Sequence, residues 1–264
     1  MQRGLQVGFG ELIGPDLLRA LAALGFTLIR CDMQPVLEPR HFRILLDEVL
    51  AAGLNPMPII RPEQSTWLPS TPALDIEVLN EPDLTGWAWR DYAANVNAVC
   101  TAVDGRHRVW AGSLSNLTPS RLGWLQRVIG SIPVSVGITV HRYPKNGADD
   151  AAPQEGFKSR DAEIEWLKTI IEGRRWGCSE FGYHTGPQRR GHLWWTERWH
   201  WTDAQVAAFT QRDLRRWEAW GAEFAVYYQV NDGSGGGPID RYGVRRLDGT
   251  WKPVAKVFGT VEDR

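Results

Sequence analysis

The sequence predicts one α/β domain folded as a (β/α)8 TIM barrel, with a short or irregular third helix. Three observations carry that prediction. The chain has 264 residues, near the roughly 250 that this architecture usually takes. Short runs rich in Val, Ile and aromatic residues alternate with amphipathic helical runs from one end to the other. Eight strand runs occur, and each but the third is followed by a segment that reads as a helix.

The strand runs fall at 5–10 (LQVGFG), 26–32 (FTLIRCD), 54–61 (LNPMPIIR) and 74–80 (LDIEVLN). Four more lie at 107–115 (HRVWAGSLS), 134–143 (VSVGITVHRY), 175–183 (RWGCSEFGY) and 223–231 (EFAVYYQVN). Between them, PDLLRALAALG opens on a helix-compatible Pro and ends at Gly25, and EPRHFRILLDEVLAAG ends at Gly53. WAWRDYAANVNAVCTAVDG, TPSRLGWLQRVIG, RDAEIEWLKTIIEG and TDAQVAAFTQRDLRRWEAWG follow the same plan, several with Ser, Thr or Asp in front and Gly behind. The exception follows the third strand, where PEQSTWLPSTPA (62–73) is too short and too rich in Pro for a full helix. The rival architecture, an open doubly wound sheet, wants a Gly-rich phosphate loop after its first strand. GFGELIGPD only loosely resembles one, and Asp32 at the end of the second strand stands near an unexplained Arg30. No boundary divides residues 1–264, which read as a single (β/α)8 domain; DGSGGGPID (232–240) reads as a mobile loop.

Thirty basic residues balance 31 acidic ones, so no global field favours nucleic acid or an anionic membrane. The Arg-rich stretches DLLRALAALG and QRDLRRWEAWG have helical spacing and read as solvated faces. Cys31, Cys100 and Cys178 are odd in number and far apart, which argues against a disulfide framework, and no ligand spacing suggests a structural metal. No segment is apolar enough to span a bilayer, and no signal segment opens the chain. The expected location is therefore cytoplasmic, or secreted if a leader has been removed. Fourteen Trp residues exceed what core packing requires and point to flat apolar ligands.

In a barrel the residues at the C-terminal strand ends converge on one mouth. Those residues are Arg30 on the second strand, Asn80 and Glu81 on the fourth, His141 and Tyr143 on the sixth and Glu180 on the seventh. Tyr228, Gln229 and Asn231 end the eighth. Two glutamates facing each other with an Arg, an Asn and a Tyr are what acetal cleavage needs: one acid protonates the leaving oxygen and the other attacks or stabilises the oxocarbenium-like centre.

The ordered set EVLNEP on strand four, HRYP on strand six and SEFGYHTG on strand seven resembles the clan A retaining glycoside hydrolases. The C-terminal YGVRRLDGTWKPVAKVF is similar to the segment that closes many of them, so the resemblance runs along the whole chain. It implies a (β/α)8 barrel with Glu81 as acid/base and Glu180 as nucleophile. Asn80 would bond the sugar 2-hydroxyl, Arg30 would keep Glu180 charged and oriented, and Tyr143 or His141 would hydrogen-bond one of the acids. Where the clan often has a Trp platform on strand eight, this chain has VYYQVND, which leaves Tyr228 or a loop Trp for that role. The implied reaction is double-displacement cleavage of β-linked glycosides in an oligo- or polysaccharide. The expected partner is that carbohydrate alone, bound by a monomer without cofactor, metal, nucleic acid or membrane.

Each reading has a plainer competitor. Glu81 could serve as a helix N-terminal acid, although Asp83 or Thr85 could do that equally well. Glu180 could be a surface acid, although GCSEFGYHTG suits a buried strand end. Glu77 shares strand parity with Glu81 and reads as a buried structural acid paired with Arg30 or Arg61. His141 with Tyr143 at i+2 on the same face reads as part of the site; His184, His192 and His200 lack regular metal spacing. The loop GHLWWTERWHW (191–201) holds Trp194, Trp195, Trp199 and Trp201, which would pack as a lid, stack on sugar, or do both. Trp194 and Trp195 are the chosen platform candidates, and Trp67, Trp87 and Trp89 would extend the cleft. The alternative function is a non-catalytic carbohydrate-binding barrel of the same clan. A phosphate enzyme on this fold would have only DGSGGGPID as its phosphate loop, without a well-capped helix after it.

Overall fold

The computed structural model describes residues 1–7, 14–36, 38–144, 149–186, 188–190, 197–234 and 238–259, with backbone alone at 188–190, 197–199 and 238–239. Its elements run β1 (Gln2–Val7), α1 (Pro15–Ala23), β2 (Leu28–Asp32), α2 (Pro39–Ala51), β3 (Asn55–Ile60) and β4 (Asp75–Val78). Then come α3 (Trp89–Val103), β5 (Arg108–Leu114), α4 (Pro119–Ile129), β6 (Gly137–Arg142), α5 (Arg160–Ile171) and β7 (Trp176–Phe181). A small ribbon of β8 (Gln188–Arg190) and β9 (Glu197–Trp199) precedes α6 (Asp203–Ala219), β10 (Phe224–Tyr227) and α7 (Pro253–Lys256). β1 to β7 and β10 form a closed barrel in the order β1-β10-β7-β6-β5-β4-β3-β2, every pair parallel, as the alternating sequence pattern predicts. The Pro-rich stretch after β3 folds only as a 3-10 turn, Pro62–Trp67.

Three departures from the sequence reading matter. The first strand starts earlier than expected, at Gln2, and residues 8–10 of the expected run lie outside those described. The antiparallel β8–β9 ribbon was not expected from the Trp-rich stretch. The Arg-rich face of α6 is only partly solvated: Arg212 and Arg216 both hold the buried Asp150 at 2.7 Å, which ties the segment before α5 to α6.

The barrel interior is divided by polarity. Leu28, Met57, Trp110, Phe224 and Val226 fill its lower part as a separate apolar cluster. Trp110 fits because Gly137 stands beside it: a Cβ there would lie 2.3 Å from the indole ring. Its Nε1 donates to Asp75 at 2.7 Å. Above that floor the buried side chains change character to Gln6, Arg30, Glu77, Ser113, Thr139 and His141. A polar layer this deep is stable only if its members bond one another.

Two strands break the alternation that would otherwise fix which residues face inward. Between β5 and β6 the register steps from Ala111↔Ile138 to Leu114↔Val140, so β5 carries one extra residue. The bulge includes Gly112 at φ +113°, where a Cβ would meet the Thr139 carbonyl oxygen at 2.6 Å, and Ser113 at φ +42°. Between β6 and β7 the register steps from Val140↔Cys178 to His141↔Glu180, so β7 also carries one extra residue. Bulges re-aim side chains. Here they turn Ser113 and Glu180 into the barrel, where strict alternation from Trp110 and Gly177 would have pointed them out.

Candidate active site

Arg30 is the centre of the polar layer. It projects inward from β2, fully buried, and each of its five N–H groups has an acceptor. Nε donates to Glu77; NH1 donates to Glu180 and, at 2.8 Å, to Gln6; NH2 donates to Asn80 at 2.8 Å and faces His141 Nε2 at 3.4 Å. Arginine has no acceptor, so His141 Nε2 must accept, which places the imidazole proton on Nδ1. That N–H points at Glu81 Oε1, 3.0 Å away, with Glu180 Oε2 at 3.6 Å.

Glu81 leaves the strand before it reaches the mouth. β4 ends at Val78, and Leu79 (φ +59°) and Glu81 (φ +44°) adopt left-handed backbone. The parity argument therefore holds for Glu77, which does point inward, but not for Glu81. The two left-handed residues let adjacent Asn80 and Glu81 both face the centre, which a regular strand forbids. Glu81 carbonyl accepts from the N–H of Leu84 and of Thr85, each at 3.0 Å, closing the turn. Asp83, almost fully buried, holds this turn against the next loop by accepting from Ser115 N–H and Oγ at 3.1 Å and from Arg121.

Glu180 has both oxygens held: Oε1 by Arg30 and Oε2 by the Tyr143 hydroxyl at 2.6 Å. Burial, then the adjacent Glu180 charge, keeps the Tyr143 phenol well above its ordinary range, so it stays a donor. Tyr143 is set in turn by the rings of Tyr228 and Tyr242, at 6.1 and 5.6 Å edge-on. Tyr242 belongs to the wall, although strand-end reasoning missed it, because it lies beyond β10 in irregular chain. Tyr228 stands just past β10, and the Tyr228–Gln229 peptide is cis.

Oxygens of Glu81 and Glu180 and a nitrogen of His141 lie within 4.8 Å of one another. A divalent cation would fit that spacing, and two features oppose it. Arg30 already places a positive charge on Glu180, and it leaves the His141 proton on the nitrogen that the cation would need. The arrangement is that of two acids joined through hydrogen bonds to Arg30 and His141. Asn80 Oδ1 is occupied by Arg30, so its amide N–H groups are the part left for a ligand.

The aromatic expectations divide. Trp194 and Trp195 lie outside the described residues, as does His192. Trp201 packs edge-on against Phe209 of α6 at 4.8 Å and also lines a cavity of about 360 Å³ with Thr185, Asp203, Asp232, Arg241 and Lys252. Trp67 packs edge-on against Phe42 of α2 at 5.9 Å. Trp89 starts α3 beneath Arg90, 4.3 Å from its ring, whereas Trp87 is 39% exposed on the loop that carries Glu81. Arg61 pairs with Glu63 at 3.7 Å, leaving Glu77 to Arg30.

The sequence matches no protein-family model and no curated protein. Its fold does have counterparts. An exo-β-1,4-mannosidase from Opitutaceae bacterium strain TAV5 superposes with a TM-score of 0.65 at 15% identity, over 98% of this chain and 58% of that one. An active-site mutant of the Rhizomucor miehei β-1,3-glucanosyltransferase, in complex with laminaritriose, gives 0.71 at 14% identity, covering 96% of both chains. The GH53 catalytic domain of Ignisphaera aggregans gives 0.70 at 14% identity, over 99% of this chain and 96% of that one. This chain thus spans little more than half of the mannosidase but nearly all of the other two. At such identities the likeness is one of architecture: the protein has the (β/α)8 barrel on which these glycoside hydrolases and this transglycosylase are built.

Proposed function

We propose that the protein is a retaining glycoside hydrolase that cleaves β-linked glycosides, with Glu180 as nucleophile and Glu81 as acid/base. The observation that carries this reading is the acid pair itself. One oxygen of Glu81 and one of Glu180 lie within 4.8 Å of each other at the barrel mouth, a close approach of the kind that retaining pairs, with carboxyl groups about 5–5.5 Å apart, require. The mannosidase and the glucanosyltransferase are named for β-linked glycans, which makes β-linkage the form in which to test it.

In this mechanism a sugar sits with its anomeric carbon over Glu180 and its leaving oxygen at Glu81. Glu81 gives its proton to that oxygen as Glu180 attacks, the glycosidic bond breaks, and a glycosyl ester forms on Glu180. Glu81, now ionised, takes a proton from water, which attacks the same carbon and releases Glu180. Arg30 and Tyr143 hold the nucleophile in one orientation, and the Asn80 amide meets the sugar 2-hydroxyl. A panel of aryl β-glycosides and β-linked polysaccharides, with the first-formed anomer followed by NMR, tests the reading. Turnover with a β-configured first product supports it, while an inverted product overturns the retaining assignment. Carbohydrate binding without turnover would favour a binding barrel instead.

A further inference from the structure

The barrel holds a third carboxylate that the proposed chemistry does not use. Glu77, on β4 below the acid pair, is fully buried. Arg30 Nε donates to its Oε2 and Ser113 Oγ to its Oε1. Ser113 reaches it only because of the β5 bulge, and Thr139 stands behind, its Oγ1 accepting from Ser113 N–H at 3.0 Å. Burial pushes the Glu77 carboxyl up, but Arg30, His141 and the Ser113 and Thr139 hydroxyls together hold it below the ordinary carboxylate range. Glu77 is a charged group at a depth where the protein otherwise begins its apolar floor. A layer that needed only volume would be filled as that floor is, since an apolar replacement for a buried ion pair is often no less stable.

What Glu77 does follows from the charge on Arg30. One guanidinium sits between two carboxylates, Glu77 below and Glu180 above. We infer that Glu77 is a positioning residue that divides the Arg30 charge with Glu180, so that Arg30 holds Glu180 without binding it too tightly to react. Glu77 also fixes the rotation of the guanidinium, and through it the Asn80 amide and the His141 tautomer. The inference rests on the proposed role of Glu180 for its kinetic consequence, although its electrostatic content does not.

The other groups that face Glu180 are Glu81 from the turn after β4, His141 from β6, Tyr143 just past it, and the neighbouring Tyr228 and Tyr242 rings past β10. Cys178 on its own strand has its thiol pushed well above the ordinary range by burial. Glu77→Gln leaves all of these in place. The amide is isosteric, its oxygen can accept from Arg30 Nε, and its N–H can donate to a rotated Ser113 hydroxyl. Only the charge is lost.

The test is the carboxyl titration of Glu180 by carbon-13 NMR in glutamate-labelled protein, assigned by the signal missing from Glu180→Gln. In Glu77→Gln the Glu180 midpoint should fall by about 1 pH unit, because the full Arg30 charge then acts on it. Ser113→Ala, which removes a hydrogen bond but no charge, should leave the midpoint nearly unchanged. An unmoved or raised midpoint in folded Glu77→Gln overturns the inference, as does an equal fall in Ser113→Ala. This readout needs no turnover, so inactivity of the wild-type protein on every glycoside would sink the functional reading and leave the charge-sharing result standing. With an active enzyme, the acidic limb of kcat/KM should move down with the titration, by the same amount, and kcat should drop about 10-fold; an unmoved limb would count against the inference.

Discussion

His141 Nδ1 stands 3.0 Å from Glu81 Oε1, and Arg30 on the other side of the imidazole decides that this nitrogen carries the proton. The bond orients Glu81. His141→Ala should therefore lower kcat/KM about 100-fold for substrates with poor leaving groups, and much less for dinitrophenyl glycosides that need no protonation. His141→Asn, whose amide keeps a donor facing Glu81, should retain more activity than Ala. Equal losses across leaving groups would place His141 outside proton transfer.

The two acids should fail in different ways. Glu180→Ala should abolish turnover of every glycoside, because no ester can form. Glu81→Ala should still accumulate the glycosyl enzyme from activated substrates, with external azide speeding its release. Absence of azide rescue, with comparable losses for both variants, would reverse or remove these assignments.

Acid stability should depend on Glu77. Its folded-state carboxyl titrates below the ordinary value, so near pH 4 the unfolded chain binds more protons than the folded one. The contribution is complete above the unfolded value of about 4.3 and is lost as pH falls through the lower folded value. Urea unfolding between pH 3 and pH 7 should show Glu77→Gln less stable at neutral pH and less dependent on pH at the acid end. A parallel loss at every pH would show that its charge does not matter to folding.

The barrel floor gives a prediction about packing. Gly137→Ala drives a methyl group into Trp110, which is fully buried and anchored to Asp75. It should cost about 1–3 kcal/mol, read as a lower midpoint in urea with little change in the slope. A neutral result would mean that Trp110 can shift.

Much of this was legible in the sequence because barrel strands and helices carry strong periods, and because a barrel gathers its strand ends at one mouth. Arg30, Asn80, Glu81, His141, Tyr143 and Glu180 come together as that rule expects. The rule worked partly for reasons it does not contain. Alternation along β7 points Glu180 outward, and only an extra residue turns it in; alternation along β5 likewise hides Ser113. The left-handed turn at Leu79 and Glu81 carries no glycine to announce it. Tyr242 escaped because nothing periodic marks a residue in a long irregular connection.

Arg30 has no hydrogen left to give. A ligand seated between Glu81 and Glu180 can draw on the Asn80 amide and the tyrosine rings, but it cannot recruit the guanidinium without breaking a bond already made. Around it stand the acids Glu77, Glu81 and Glu180. A sugar bearing its own carboxylate or phosphate would meet like charge there and find no free counter-charge on Arg30. The wiring that holds Glu180 in place thus also limits what a ligand can gain from Arg30.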